Sequence, residues 1–289
     1  MIIVDFSAIS IATVFSQPQS ELNQDMIRHF ILNSLRMYNV KYRDEYGEMI
    51  LACDHASWRK RVYPEYKAAR KKHREKSSID WTEVFGMIDT VRNEIRENFP
   101  YPVIHVEGAE ADDIIATLVE STQQFGMHEK VMIISSDKDF IQLQKYNNVS
   151  QFSPGQKKVI KDDNPKKYLF DHILMGDASD GVPNVLSADD VFVTKTRQSP
   201  LTKVKIKKWY DESQTKELKE IMDEKTYRNY IRNQTMIDLS KIPQDIIDNI
   251  EKEIIKEKSQ RNNNSKILNY LISSQCKQLI NCADEFFIK

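Results

Sequence analysis

Three short apolar segments of this chain each run directly into an aspartate, and this pattern constrains the fold more than any other feature. The segments are rich in β-branched residues and are separated by stretches with helical spacing, as expected for buried strands of a parallel sheet. They end at Asp5, Asp54 and Asp137. The carboxyl ends of parallel strands share one edge, where the working crevice of open α/β folds lies, so we expect these aspartates to lie together.

Further acidic residues are expected at the same edge of the sheet. They open a predicted helix, follow Asp137, or lie in a later loop: Glu110, Asp112, Asp113, Asp139, Asp177 and Asp180. Two like charges about 4 Å apart cost roughly 4 kcal/mol at an effective dielectric near 20. Divalent cations held by carboxylate oxygens would offset that cost, so the nine acids predict a two-metal phosphodiesterase site.

Each of these acids alone has an ordinary alternative role, such as offsetting a helix dipole. Geometry separates those in the helix: on a regular helix residue 112 points away from the face that residues 110 and 113 share. We therefore expect Glu110 and Asp112 at the site, with Asp113 behind them or acting through water. His55, His105 and His128 show no ligand spacing between them, and a site for hard cations does not require imidazole.

Composition limits the class of protein. The 289 residues carry a net charge of −1 and contain no apolar run long enough to span a membrane, so a cytosolic protein is expected. The three cysteines show no metal or redox spacing. The seven glycines contain no Gly-x-Gly, which argues against the glycine-rich phosphate loops of nucleotide-cofactor folds.

Two segments are strongly basic. Residues 58–76 hold nine Lys or Arg against two Glu, and residues 195–208 hold six basic residues and no acid. Such strips are usually solvated helix faces, but beside an acidic metal cluster they predict contact with a polyanion. The candidates for nucleic-acid contact are Arg59, Arg61, Tyr66, Lys67, Arg70, Lys71, Lys203, Lys205, Lys207 and Lys208.

Three of these candidates have a more specific expected role. Lys67 and Arg70 are three residues apart, so on a helix they would jointly hold the scissile phosphate. Tyr66 would offer a face on which a frayed terminal base stacks. Trp81 and Phe85, four apart, are expected to pack within a helix rather than to stack on bases.

The pattern predicts a mostly parallel central sheet flanked by helices, followed by helices only. We expect a catalytic core at 1–164 and a helical, duplex-binding C-terminal region at 165–289. Strands are predicted at 2–6, 49–54, 103–106 and 131–135, with a hairpin at 151–160. Helices are predicted at 21–38 with Ser20 as N-cap, 110–125, 166–175, 216–238, 243–256 and 265–282. Residues 58–98 are predicted as two helices with a mobile middle at 71–78.

Taken in order, these motifs resemble those of the 5′ nuclease (flap endonuclease) family, and most closely its bacteriophage members. The likeness covers nearly the whole chain and rests on Asp5, Asp54, Tyr66-Lys67-x-x-Arg70, Glu110-Ala-Asp112-Asp113, Asp137-x-Asp139 and Gly176-Asp177-x-x-Asp180. The resemblance implies a PIN-like core, a helical arch at 58–98 and a duplex-binding element at 165–208. One departure is Val182–Ser187, where most relatives have a Gly-x-Gly hairpin, so Lys195–Lys208 is expected to take more of the duplex contact.

The resemblance also implies roles. Asp5, Asp54, Glu110, Asp112 and Asp137 correspond to ligands of a first metal, and Asp139, Asp177 and Asp180 to those of a second. Lys67, Arg70, Asp112 and Asp137 would be catalytic. The implied cofactor is a pair of Mg²⁺ ions, with Mn²⁺ as a substitute.

The implied function is 5′→3′ cleavage of RNA–DNA hybrids and 5′-flap or nicked duplex DNA, removing RNA primers from lagging-strand fragments during phage replication. The enzyme would act as a monomer in the host cytoplasm, beside a single-stranded DNA-binding protein and a sliding clamp. Two alternatives remain open at this point: a PIN-type ribonuclease, and a non-catalytic structure-specific nucleic-acid binder.

Overall fold

The computed structural model describes residues 1–16, 22–77, 79–126, 128–260 and 263–287, apart from the side chains of residues 71–73 and 125. Its strands are β1 Ile2–Asp5, β2 Met49–Cys53, β3 Val103–His105, β4 Val131–Ile134, β5 Val149–Ser153 and β6 Lys158–Ile160. The helices before residue 165 are α1 Phe6–Phe15, α2 Gln24–Tyr46, α3 Arg59–Val62, α4 Ala68–Glu75, α5 Trp81–Asn98 and α6 Ala111–Ser121.

The remainder of the described chain is helical. It forms α7 Pro165–Met175, α8 Val191–Thr194, α9 Lys203–Ser213, α10 Leu218–Ile221, α11 Glu224–Ile237, α12 Gln244–Ser259, α13 Ser265–Ser273 and α14 Lys277–Ile280. Short 3₁₀ segments lie at Gln124–Gly126, Asp139–Lys145, Leu239–Lys241 and Ala283–Phe286. In the described ranges no helix is both long and apolar enough to cross a membrane.

The strands form one sheet in the order β3-β2-β1-β4-β5-β6. All neighbours are parallel except β5 and β6, which form the predicted hairpin. In the register, Ile3 pairs with Ile50 on one side and with Ile133 on the other. The three predicted strand ends are therefore level with one another, and the predicted fold class of a mostly parallel sheet flanked by helices is confirmed.

Successive residues of β1 face opposite sides of the sheet and enter different cores. Ile2 and Val4 pack in a core with α1, α2, α5 and α13, whereas Ile3 packs with α6 and α12. A third cluster joins α7, α9 and α11 around Trp209 and Tyr230. Helices from the last part of the chain thus cover both faces of the sheet.

Several element boundaries differ from the predictions. The first helix, α1, was not predicted, because Phe6–Phe15 is mostly apolar and uncharged, and its few polar residues, Ser7, Ser10 and Thr13, do not form an exposed polar face. Helix α2 begins after Asn23, whose side chain accepts from the Met26 amide at 3.0 Å, and it continues to Tyr46. The predicted N-cap, Ser20, lies outside the described residues.

Three further predictions are corrected. Residues 58–98, predicted as two helices, form three, α3, α4 and α5, and residues 71–75 of the expected mobile middle belong to α4. The mobility of that middle stays a prediction. The helix predicted at 216–238 is divided, because Asp223 caps a new helix by accepting from the Thr226 amide at 3.0 Å. The helix predicted at 265–282 is broken after Ser273, where Gln275 adopts a positive φ of 53°.

Candidate active site

The predicted strand-end aspartates meet at the carboxyl edge of the sheet. Asp5 ends β1 and also caps α1, accepting from the Ala8 amide at 2.9 Å. Its second oxygen accepts from the Ser135 hydroxyl, just after β4, at 2.8 Å. Asp54, just after β2, accepts from the Ala111 amide at the start of α6 at 2.7 Å. The Ser135 contact links β1 to β4, and the Ala111 contact links β2 to α6, around one cleft.

The cleft has a volume of about 780 Å³ and contains five of the predicted acids and both members of the predicted basic pair. The acids are Asp5, Asp54, Glu110, Asp112 and Asp137, and the bases are Lys67 and Arg70. Sequence reasoning therefore brought together residues that are up to 132 positions apart in the chain.

Negative charge in the cleft exceeds what the protein itself neutralises. Burial and the neighbouring Asp54 raise the pKa of Asp5 to about 7. Desolvation and Asp139 raise the pKa of Asp137 to about 6. Burial and Asp137 raise the pKa of Asp112 well above its usual range. Among the described residues, none donates a hydrogen bond to the Asp112 carboxylate. Crowded carboxylates with spare oxygens fit hard divalent cations such as Mg²⁺.

A second group of possible ligands lies beside the first. One ligand atom each from Asp139, His172 and Asp177 lie within 4.8 Å of one another. His172 Nε2 is 2.8 Å from Asp139 Oδ1, and the Ser179 amide and hydroxyl each donate to Asp177 at 2.7 Å. Sequence reasoning missed His172. The available signal was its position on the helix that leads directly into Gly176-Asp177.

Glu110 accepts hydrogen bonds from four side chains. The donors are Ser57 at 2.6 Å, Arg59 at 3.0 Å, Tyr66 at 3.1 Å and Lys67 at 2.5 Å. Burial would raise the pKa of Glu110, but Lys67 and Arg59 outweigh it and lower that pKa to about 2. Glu110 is therefore an anchored anion, unlike Asp112.

Lys67 and Arg70 also contact Asp180. The Lys67 ammonium is 3.4 Å from the Asp180 carboxylate, and Arg70 forms an ion pair with its other oxygen. The Lys67 amide donates to the Asp180 carbonyl at 2.7 Å. Burial opposes the charge on Lys67, but Asp180 and Glu110 outweigh burial and raise the pKa of Lys67 above its usual range. Both bases therefore stay positively charged beside the acidic cluster.

Arg59 and Tyr66 have different positions from those expected, and Asp113 lies behind the site. Arg59 is 2% exposed and pairs with Glu110 and Asp113, so the expectation that it contacts nucleic acid is wrong. Asp113 is 0% exposed, pairs with Arg59 and accepts from the Glu110 amide at 2.9 Å, so it lies behind Glu110, as the helix geometry led us to expect, and is not a direct metal ligand. Tyr66 is 3% exposed and donates to Asp180 at 2.9 Å, so its ring offers no free face for stacking.

The other basic candidates lie on the surface. Arg61 is exposed and follows Lys60, which lines the cleft, and α9 exposes four lysines: Lys203, Lys205, Lys207 and Lys208. The side chain of Lys71 lies outside the described residues. The structure therefore offers two separate exposed basic surfaces, one near the cleft and one on α9.

The raised pKa values predict how the stability of the metal-free protein depends on pH. The folded state retains protons on Asp5 up to about pH 7 and on Asp137 up to about pH 6, whereas ordinary unfolded aspartates release them near pH 3.9. The free energy of unfolding in EDTA should therefore fall as pH rises from about 5 to about 7.5.

Urea titrations across that range would measure the effect. Asp137→Asn, which removes one titrating group, should weaken the pH dependence, and saturating Mg²⁺ should reverse it because the cation binds the deprotonated carboxylates. A free energy of unfolding in EDTA that rises over this range would contradict the crowding of charge described above.

Two sequence families match the chain. The family described as "5'-3' exonuclease, N-terminal resolvase-like domain" matches residues 1–169. The family described as "T4 RNase H, C terminal" matches residues 165–286. Ribonuclease H of Enterobacteria phage T4 is 34% identical over 295 residues, covering 98% of this chain and 95% of that protein. A 5'-3' exonuclease of Buchnera aphidicola is 28% identical over 196 residues, covering 64% of this chain and 65% of that protein.

Solved structures of a phage T5 nuclease share the fold. The T5 5'-exonuclease with bound zinc gives a TM-score of 0.62 at 17% identity, covering 89% of this chain and 99% of that one. The T5 flap endonuclease in a pseudo-enzyme-product complex with DNA and metal ions gives 0.61 at 16% identity, covering 89% and 98%.

Proposed function

Because this chain belongs to the 5′-3′ exonuclease family and is a homologue of phage T4 ribonuclease H, we propose that it is a Mg²⁺-dependent 5′→3′ nuclease for RNA–DNA hybrids and 5′-flap duplex DNA. Members of this family are metal-dependent nucleases. The observation that carries the finer proposal is the cleft itself, in which unneutralised carboxylates face the partly buried Lys67 and the exposed Arg70. That combination suits a phosphodiester with metal on one side and cationic donors on the other.

The proposed ligands of the first cation are Asp5, Asp54, Asp112 and Asp137, with Glu110 contributing mainly charge. Asp139, Asp177 and Asp180 are proposed for a second cation, with His172 against Asp139. Two bound Mg²⁺ ions would supply a water of lowered pKa and positive charge near the leaving oxygen. The protein's part is to hold the carboxylates in place, chiefly through the Ser135 and Ala111 donors.

Lys67 and Arg70 are proposed to hold the scissile phosphate and to stabilise the charge that develops on it. Both are tied to Asp180, and Lys67 also to Glu110, so they are positioned before a substrate arrives. A pre-positioned donor need not reorganise during the reaction, which is the main source of its effect. Asp180 and Glu110 thus orient the bases as well as adding negative charge.

We further propose that the biological substrate is the RNA primer of a lagging-strand fragment during phage replication. This rests on the name of the T4 relative and on the chain's similarity to it over 98% of its length. The exposed lysines of α9 suit contact with duplex phosphates. Action as a monomer in the host cytoplasm, beside a single-stranded DNA-binding protein and a sliding clamp, remains part of the proposal. Residues 165–286 of this chain match the family described as "T4 RNase H, C terminal", which leaves little support for a PIN-type ribonuclease.

The test of this function is a Mg²⁺ titration with two labelled substrates, a 5′-RNA–DNA hybrid and a 5′-flap duplex. Cleavage should depend on Mg²⁺, proceed from the 5′ end, persist with Mn²⁺ and stop in EDTA. Binding without cleavage at any Mg²⁺ concentration would instead support a non-catalytic binder.

Replacement of Lys67 by Ala should lower kcat for both substrates by about 10²-fold, because one positioned donor to the reacting phosphate is lost. Calorimetric Mg²⁺ binding should be retained, since Lys67 is a cation and not a ligand. Lys130→Ala is the matched control: Lys130 is exposed, pairs with Glu45 and precedes β4 at the opposite edge of the sheet. Cleavage by Lys67→Ala at the parental rate would remove Lys67 from the mechanism.

A further inference from the structure

An aromatic surface lies in the same cleft as the acidic cluster. Phe15, at the end of α1, and Trp81 and Phe85, in the first turns of α5, all line the cleft. We call these three residues the aromatic ledge. The Trp81 ring lies 5.6 Å from the Phe15 ring and 5.6 Å from the Phe85 ring. Trp81 and Phe85 were expected only to pack within a helix, but both are partly exposed in the cleft.

Phe15 is the most exposed residue of the ledge, whereas Trp81 and Phe85 are half-buried and Trp81 also packs against the core. Phe15 is 61% exposed, whereas the largest side chains of the neighbouring core are fully buried. Ligand-binding clefts are lined mainly by hydrophobic and aromatic side chains, and contiguous exposed apolar patches often mark binding sites. Among the described residues, the Trp81 indole nitrogen is shielded from solvent without a hydrogen-bond partner.

A row of cations connects the ledge to the reaction site. Arg70 and Arg74 are four residues apart on α4, about 6 Å along its axis, and therefore share one face. Both line the cleft. The Arg74 guanidinium lies 5.0 Å from the Phe85 ring centre and 5.8 Å from that of Trp81. Cations on one side and aromatic faces beside them match the backbone and bases of a single strand.

We propose that the aromatic ledge is a subsite for unpaired bases of the substrate's 5′ single strand, with Arg74 contacting the adjoining phosphate. This inference rests on the proposed function and adds a base-stacking site to it. Helix α1 runs about 15 Å from Asp5 to Phe15. A strand stacked at about 3.4 Å per nucleotide would therefore place the ledge roughly four nucleotides from the acidic cluster. Stacking on aromatic rings is tolerant of sequence, so the subsite would favour unpaired over paired ends without selecting bases.

The burial of Tyr66 supports this assignment. With its ring enclosed and its hydroxyl bound to Glu110 and Asp180, Tyr66 is not a free platform. In the described part of the cleft, the exposed or half-exposed Phe and Trp side chains are those of the ledge.

Intrinsic fluorescence gives a direct test. The chain has three tryptophans, and Trp58 and Trp209 are 3% and 5% exposed, so Trp81 is the accessible one. Titration with oligothymidylate in EDTA should quench the wild-type fluorescence. Trp81→Phe should show little quenching, and a wild-type titration with an abasic oligonucleotide of equal length should do the same. Equal quenching by the normal and abasic strands would overturn the proposal.

Kinetics on two 5′-flap substrates, one with bases in the flap and one without, give an independent test. Trp81→Ala should raise KM about tenfold for a 5′-flap substrate with normal bases, and removing the flap bases should raise the wild-type KM by a similar factor. With the flap that lacks bases, Trp81→Ala should not raise KM further than either change does alone. Trp81→Phe should keep most of the wild-type affinity on the normal flap. An equal KM increase for Trp81→Ala on both flaps would indicate a purely structural role and overturn the subsite.

The control variant is Phe30→Ala, which removes a partly exposed aromatic residue of α2 that does not line the cleft. It should leave KM unchanged for both flaps. This outcome can be told apart from failure of the proposed function. If the wild type cleaves with Mg²⁺ but its KM is the same with and without flap bases, only the proposed base-stacking subsite is contradicted.

Discussion

Replacement of Asp112 by Asn is expected to lower kcat for a 5′-flap duplex by about 10³-fold, because charge stabilisation by a bound metal is worth several kcal/mol. Asn keeps the size of the side chain but removes the negative charge that would hold the cation. The protein does least to stabilise the negative charge of Asp112, because burial and Asp137 both raise the pKa of this residue. Its charge is therefore the one that a cation would stabilise most.

Two further measurements separate this role from a structural one. The affinity for the duplex in EDTA should stay within about twofold, since α9 is not altered. The thermal midpoint in EDTA should rise, because a repulsive buried charge is removed. Asp248→Asn, at an exposed position of α12, should change none of these quantities. Loss of binding in step with activity would argue that Asp112 maintains the fold instead.

The backbone explains why the acidic cluster could be predicted from the sequence. Asp5, Asp54 and Asp137 each follow an apolar run, and the parallel register brings the ends of those runs level. Recognising the strands in the sequence was therefore enough to predict where the carboxylates lie. Helix α1 could not be predicted in this way, because a mostly apolar, uncharged helix has no clear polar face to reveal its period.

Side-chain environment could not be predicted in the same way. Arg59 and Arg61 are two residues apart in one basic run, yet Arg59 is buried and Arg61 is exposed. The difference arises from partners that are remote in the chain, chiefly Asp113 and the Met236 carbonyl. The same holds for His172, which becomes a possible ligand only because α7 packs against Asp139. Spacing within one segment does not contain that information.

The buried position of Arg59 leads to the largest expected effect on stability. Its guanidinium donates to Glu110 at 3.0 Å and lies 2.9 Å from an Asp113 oxygen, and its Nε donates to the Met236 carbonyl at 2.8 Å. Arg59→Met would leave these acids buried without their partner, which typically costs about 3–5 kcal/mol. Urea denaturation followed by circular dichroism should show that loss, together with a fall of the thermal midpoint by about 6–20 °C.

The neighbouring Arg61 provides a matched control, because Arg61→Met makes the same chemical change at an exposed position and should alter stability by no more than about 0.5 kcal/mol. The double variant Arg59→Met, Asp113→Asn should recover part of the lost stability, because it removes one of the two buried carboxylates that Arg59→Met leaves without a partner. Equal stabilities for Arg59→Met and Arg61→Met would show that the ion pairs beneath Glu110 contribute nothing. Partial recovery in the double variant would instead show that the charge of Arg59 acts through Asp113, which joins the base of the active site to the start of α6.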